Sequence, residues 1–548
     1  MFYAQSKKYI FVVGGVMSSV GKGVAAASLA KILQSKGFRI ASIKCDMYVN
    51  VDAGTIRPAE HGEVFVGEDG VEADQDLGNY ERFTDQICTR DNYITTGQVY
   101  QEVIRRERNL EYDGEDVEVV PDIPNEIIRR IEVCQRKNKS EVTVVEIGGT
   151  VGEYQVLLFL EAARMLKVKN PADVFFVLVS YLPTPIILGE QKSKPTQYAI
   201  RTLNSAGIMP DFILCRADKT VKENIKNTIS TVCSLPRERI ISAPDVYSIY
   251  DVPINFEKEN LGQVMLQTMG LKARTQKLED WKKLALKIKK INKKITIGIV
   301  GKYFNFKSCR DTYISVIEAI NHACWFNNVK PEILWLDAEE YENNNKKLKE
   351  LKNVDGIIVP GGFGKRGTEG MILAARYARE NKIPYFGLCL GMQIMTIEFA
   401  RNVLKLKKAN STELDHNTTN PVIATMEEQK KNIAEKNYGG TMRLGSYKAN
   451  LEIDSLSYKA YLEKIIFERH RHRYEFNNDY KKRLEAAGLK VTGFNRERGL
   501  VEIVEVKNHP WMVGVQFHPE FKSRPLNPHP LFKDFIKASL KRKNKISK

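Results

Sequence analysis

Apolar residues along this chain fall in short runs separated by longer amphipathic stretches. Residues 9–13 (YIFVV), 40–44, 143–147, 174–179 and 212–215 are each dominated by apolar side chains. Short apolar runs of this kind, divided by helical patterns, predict strands buried on both faces of a parallel sheet. Around residues 271–294 the chain becomes lysine-rich and amphipathic, which predicts a linker helix. The strand–helix alternation restarts at 295–300 (ITIGIV), 333–336, 355–359 (DGIIV) and 385–388. The expected fold class is α/β, with two domains that each hold a mostly parallel sheet flanked by helices. The expected division is 1–270, a linker at 271–294, and 295–548. The lysine- and asparagine-rich stretch 427–436 is expected to be an exposed loop.

Composition narrows the function classes. With 43% hydrophobic residues in 548, a large core is expected and disorder is not. The longest apolar run, 173–182, is far short of the ~20 residues of a membrane span. The first residues lack the charged, apolar and small-residue regions of a secretory leader, so a cytoplasmic protein is expected, with no membrane partner. Eight cysteines without a C-x-x-C pair point to reduced thiols. The net charge of +17 is concentrated in lysine runs such as 282–294 and 541–548. These read as solvated faces. They lack the aromatic interleaving of single-strand binders, so no nucleic-acid partner is expected, whereas small anionic substrates would suit the charge.

Two groups of residues carry chemistry. The first is GGVMSSVGKG (residues 14–23), a glycine-rich turn between a strand and a helix. A helix N-terminus there offers unpaired N–H groups to phosphate, and Lys22 adds charge. The usual spacing G-x-x-x-x-G-K-[ST] is broken: Val16 stands at the first glycine and Gly23 at the metal-holding hydroxyl. Carboxylates elsewhere could replace that hydroxyl. Lys44 and Asp46 follow the second strand, Asp74 and Asp76 lie in EADQDLGNYERF, and Glu146 ends an apolar strand. Magnesium favours one or two carboxylates plus phosphate oxygens, so Asp76 and Glu146 are the candidate ligands.

The second group is GLCLG (387–391), a strand, a sharp turn and a helix with Cys389 at the tip. This is a nucleophile elbow with cysteine in place of serine. In VQFHPE, His518 is the candidate base, and Glu520 two residues on can orient its ring. Oxyanion donors would come from the glycine turn 360–364 and from the N–H of Leu390.

PGGFGKRG, GLCLGMQ and QFHPEF resemble a class I glutamine amidotransferase. GGVMSSVGKG, NVDAGTIRPAEHGEVFV, DLGNYERF, VEIGGTVGE and KSKPTQ resemble the synthase part of the CTP synthase family. The likeness runs in family order from Tyr9 to about Phe535. It implies a P-loop NTPase-like synthase domain and a flavodoxin-like glutaminase domain. It implies ATP-dependent amination of UTP to CTP through a 4-phosphorylated UTP, with ammonia from glutamine. By the same likeness Mg2+ is the cofactor, GTP the allosteric activator, CTP the feedback inhibitor, and a homotetramer the assembly. Ser19, Val20, Gly21, Lys22, Gly23, Val24 and Lys44 resemble the ATP-phosphate site, and Asp245 and Val246 the adenine surroundings. Asp76 and Glu146 resemble the magnesium ligands. Ser18, Lys192, Ser193, Lys194, Pro195, Thr196 and Gln197 resemble the UTP/CTP site. Gly362, Leu390, Gly391, Met392, Gln393, Glu413 and Arg473 resemble glutamine contacts, and Arg366 a lid that GTP influences.

The chain departs from the family pattern at several positions. Gly-Asp-Ile-Glu after GGTV, part of the family's pyrimidine-nucleotide site, is replaced by Gly152, Glu153, Tyr154 and Gln155, so Glu153, Tyr154, Gln155 and Thr228 are UTP/CTP candidates by resemblance. A lysine of the pyrimidine site is replaced by Thr228, with Lys226 on a different helical face. A proline is replaced by Met47. Altered CTP feedback is the expectation. A P-loop amidotransferase acting on another acid is disfavoured by KSKPTQ and HGEVFV. A non-catalytic scaffold is disfavoured by the intact cysteine, histidine and carboxylates.

Overall fold

The computed structural model describes residues 7–187, 189–302, 309–425, 429 and 439–546. The chain forms two compact units. The first is residues 1–53 with 76–286, and the second is 54–75 with 287–548.

The first unit is built on a seven-stranded sheet. Across it run Tyr93–Thr95, Ile40–Asp46, Val142–Ile147, Lys8–Gly14, Val174–Tyr181, Phe212–Ala217 and Ile240–Pro244. Every pairing is parallel. Lys8–Gly14 is buried along its whole length, which is why its sequence shows no alternation. The helix Lys22–Ser35 follows it directly, and its alanines (Ala25, Ala26, Ala27 and Ala30) are almost fully buried against the sheet. Small side chains let that helix lie close to the strands. Its N-terminus is thereby fixed at the carboxyl edge of the sheet, where ligands bind in such folds.

The second unit carries a nine-stranded sheet. Five strands are parallel, in the order Lys330–Asp337, Lys294–Gly301, Gly356–Val359, Tyr385–Leu388 and Met512–Val515. Four more continue it antiparallel: Leu500–Val506, Leu489–Asn495, Arg443–Leu451 and Ile465–His472. The strands alternate sides: Ile357, Val359 and Tyr385 enter one core, while Ile358, Phe386 and Leu388 enter the other.

Three features differ from the sequence expectation. The helix of the 271–294 stretch spans only Glu279–Lys290, with buried Trp281 donating Nε1–H to the carbonyl of Tyr250 at 2.8 Å. The antiparallel strands were not expected, because their polar positions hide the alternation. Residues 54–75, expected within the first domain, pack with the second unit. They form a hairpin, Val64–Val66 with Glu72–Asp74, held by buried arginines. Arg469 meets Glu68 at 3.0 Å and Arg471 meets Glu72 at 2.8 Å. The expected loop 427–436 lies outside the described residues apart from Gln429. No helix among the described residues is long and apolar enough to cross a membrane.

Candidate active sites

In the first unit, the turn between Gly14 and the helix Lys22–Ser35 holds Ser19 and Gly21 at positive φ, 56° and 84°. Ser18, Ser19 and Gly21 are exposed, whereas Val20 is buried and anchors the loop. Lys22 donates Nζ–H to the carbonyl of Gly149 at 2.7 Å, and burial lowers its pKa. Lys44 and Glu146 are register partners on adjacent parallel strands, so their side chains meet on one face. The Lys44 ammonium lies between Asp76 Oδ2 at 2.5 Å and Glu146 Oε1 at 3.1 Å. Tyr80 donates its hydroxyl to the other Glu146 oxygen. Burial, reinforced by the Asp76 charge, pushes the Glu146 carboxyl up to about 7. Two carboxylates converging on a cation, one of them short of compensating charge, fit a divalent metal.

The missing hydroxyl after Lys22 has a steric cause. A Cβ at Gly23 would lie 1.8 Å from Asp76 Oδ1. The Asp76 carboxylate occupies the space that a serine or threonine side chain takes in the usual loop.

Beside this loop is an apolar cleft lined by Val24, Leu214, Arg216, Val246, Ile249 and Phe256, among others. Its apolar lining beside the Arg216 guanidinium suits a planar base. Asp245 is exposed, and its Oδ1 accepts from Arg216 Nη2 at 2.8 Å. Arg216 was not singled out in the sequence, although its place near the end of Phe212–Ala217 is a signal of function in such sheets.

The pyrimidine candidates are less uniform. Lys192, Ser193, Lys194, Pro195 and Gln197 sit at the start of the helix Lys194–Ser205, at least partly exposed, and Gln197 Nε2 donates to Ser193 Oγ at 3.0 Å. Thr196 is fully buried, and its Oγ1 accepts from Ser180 at 2.9 Å, so its side chain ties helix to strand. Glu153 accepts from the N–H and hydroxyl of Thr150 and from Gln155 Nε2, which commits it to its own turn. Tyr154 is 92% exposed. Thr228 is exposed and bonds back to the carbonyl of Asn224, while Lys226 is buried on Glu259 at 2.7 Å. Lys226 is therefore held away from the face that Thr228 occupies.

In the second unit, Cys389 sits between Tyr385–Leu388 and the helix Leu390–Asn402 with φ 50° and ψ −99°. A non-glycine residue in that conformation stores strain, which the surrounding close packing maintains. A Cβ at Gly391 would lie 2.1 Å from the carbonyl oxygen of Val359. Gly391→Ala is expected to lower the melting temperature by several degrees and to disrupt the elbow thiol, measured by thermal unfolding and by the rate of Cys389 alkylation.

His518 Nδ1 is 2.7 Å from Glu520 Oε1. Its Nε2 is buried, has no hydrogen-bond partner among the described residues, and is the nitrogen left for the Cys389 sulfur. Burial alone would push the imidazole down. The Glu520 carboxylate and the Cys389 sulfur outweigh it and hold His518 up at about 10. Cys389, His518 and Glu520 line one cavity of about 70 Å³ together with Pro58, Val64 and Gly361.

The glutamine candidates surround the same elbow. Glu413 Oε1 accepts from the N–H of Gly364 at 2.9 Å, and burial raises its carboxyl. The buried Arg473 donates Nη2–H to Thr441. Gln393 donates its amide to the carbonyl of Tyr474 at 3.1 Å, which leaves its own Oε1 as an acceptor. Leu390, Gly391 and Met392 are buried in the first turn of the elbow helix, and Gly362 is half-buried in the turn opposite. Arg366 donates to the carbonyl of Lys302 at 2.5 Å and pairs with Glu339 at 2.9 Å. Lys302 was missed in the sequence. It is buried, donates to the carbonyl of Gly364 at 2.6 Å, and is lowered to about 8 by burial. Its signal was its position just past the apolar run of the strand Lys294–Gly301.

Comparison with known proteins covers both units. Residues 8–271 match the family model described as CTP synthase N-terminus, and residues 308–538 match glutamine amidotransferase class-I. The chain is 48% identical over 544 residues to the CTP synthase of Clostridium kluyveri, covering 98% of this chain and 99% of that protein. It is 47% identical over 538 residues to the CTP synthase of Thermococcus gammatolerans, again with 98% and 99% covered. The glutaminase domain of a Trypanosoma brucei CTPS, solved with bound acivicin, is 40% identical and covers 45% of this chain and 94% of its own, with a TM-score of 0.42. With both matched segments in order and near-complete coverage at this identity, the chain belongs to the CTP synthase family.

Proposed function

We propose that this chain aminates UTP to CTP, using ATP and ammonia that its second unit releases from glutamine. The observation that carries the reading is that one chain holds both half-sites, the Lys22–Lys44–Asp76–Glu146 group and the Cys389–His518–Glu520 group. In the first unit, Lys22, Lys44 and the turn 19–24 hold the phosphates of ATP, Ser18 faces the pyrimidine nucleotide, and the cleft at Val246 receives the adenine. Asp76 and Glu146 hold magnesium, which supplies charge neutralisation for a transfer that depends on positioning. In the second unit, His518 takes the proton of Cys389, and Glu520 holds the imidazole in place. The Leu390 N–H stabilises the oxyanion. Gln393 Oε1 and Glu413 receive the substrate ammonium, and Arg473 its carboxylate. GTP activation, with Arg366 in the responding lid, CTP feedback, a homotetramer and a cytoplasmic location belong to the same reading.

Incubation with UTP, ATP, magnesium and either glutamine or ammonia tests it by the appearance of CTP. No CTP from either nitrogen source overturns it. Feedback is expected to be weak, because Glu153 is tied to Thr150 and the position of a binding lysine is Thr228. Titration of activity with CTP is expected to give inhibition at least ~10-fold weaker than in relatives carrying the usual acid and lysine. Inhibition of equal strength would remove this part of the reading.

A further inference from the structure

Gln516 lies two residues before His518 and is fully buried behind the nucleophile. Its amide Nε2 is 3.7 Å from Cys389 Sγ, within the reach of a hydrogen bond to sulfur. Which end of the amide faces the sulfur follows from its neighbours. The carbonyl of Tyr474 can only accept, so Gln393 must present its NH2 there, at 3.1 Å. His472 Nδ1, 3.2 Å from the same carbonyl, must carry its proton for the same reason. The Gln393 NH2 also reaches Gln516 at 3.4 Å, and that atom must then be the Oε1 acceptor. The NH2 of Gln516 is left pointing at the sulfur. The backbone N–H of Gln516, bonded to the carbonyl of Glu502 at 2.9 Å, fixes the position from the other side.

The carbonyl of Arg471 also approaches the sulfur, at 3.9 Å. It accepts, so it favours the thiol. A donor NH2 favours the thiolate. Other charged groups bear on the same sulfur. His518 and Glu520 face it, with Arg471 and Glu63 lining the cavity. Behind Gln516 lies a buried group of His470, His472, Glu475, Glu502 and Arg443.

We propose that Gln516 is a catalytic residue of the glutaminase half-reaction: its carboxamide, oriented by Gln393, donates to the Cys389 sulfur and favours the attacking thiolate. This rests on the glutaminase reading given above. Two measurements on the full chain test it: glutamate release across pH, and the pH dependence of Cys389 alkylation by iodoacetamide, which needs no glutamine site. Gln516→Met keeps the volume and removes the donor. Its alkylation profile is expected to move up by about one pH unit. Its kcat and kcat/KM at neutral pH are expected to fall together by about ten-fold, with KM little changed. Gln393→Met leaves Gln516 in place but frees its orientation. It is expected to move the alkylation profile in the same direction by less, and it decides the matter if Gln516→Met melts at a lower temperature than the unsubstituted chain. Superimposable alkylation profiles for folded variants would overturn the proposal. Absence of glutamate release from the unsubstituted chain would overturn the glutaminase reading itself, whatever the profiles show.

Discussion

Cys389→Ala is expected to abolish CTP formation from glutamine, by roughly 10³-fold or more, while CTP formation from ammonia continues. The thiol has no substitute in the cavity, where the other reactive groups, His518 and Glu520, are a base and its partner. Alanine keeps the Cβ of Cys389 and removes only the sulfur, and the close approach of Gly391 to the Val359 carbonyl is untouched. The measurement is CTP yield with each nitrogen source. Loss of both activities would mean that the first unit depends on the thiol for more than nitrogen supply, and retention of both would remove Cys389 from the reaction.

Asp76→Asn and Glu146→Gln are expected to have the opposite pattern. Each should reduce CTP formation from both nitrogen sources by at least ~100-fold, because outer contacts of a metal site alone are worth 10–100-fold. Glutamate release should remain measurable in both variants. Lys44, held by both acids, would keep one carboxylate partner in each case, so the fold should persist. Restoring the standard loop by Gly23→Ser is expected to be as damaging, because the new side chain meets the Asp76 carboxylate. Synthesis unimpaired in Gly23→Ser would refute the steric account of this loop.

Much of both sites was legible in the sequence because their signals are local. A strand, a glycine turn and a helix are contiguous in residues 9–33, and GLCLG and VQFHPE each carry their chemistry within six residues. Four of the five parallel strands of the second unit were legible for the same reason: double burial leaves an apolar run. What was not legible depends on distant partners. The strand Ile465–His472 reads IIFERHRH, a sequence whose buried charges make sense only with Glu68, Glu72 and Glu502 beside them. Gln516 and Lys302 were passed over because an amide or a lysine next to a motif has no meaning until its neighbours are known. Thr196 shows the reverse: it lies inside a motif, yet it is fully buried and its Oγ1 accepts from Ser180.

The hairpin at residues 54–75 makes the glutaminase unit discontinuous in the gene. A fragment beginning at residue 287 would leave the fully buried Arg469 without Glu68 and the carbonyl of Val66. It would leave Arg471 without Glu72 and the carbonyl of Gly54. Each guanidinium would exchange its carboxylate for water, so the cost falls below the ~3–5 kcal/mol of a pair broken inside a closed core. A fragment that starts at residue 287 therefore carries the strands of the second unit without the carboxylates that pair with two of its arginines. A change within residues 54–75 therefore bears on the arginines of the second unit, although it is written inside the synthase half.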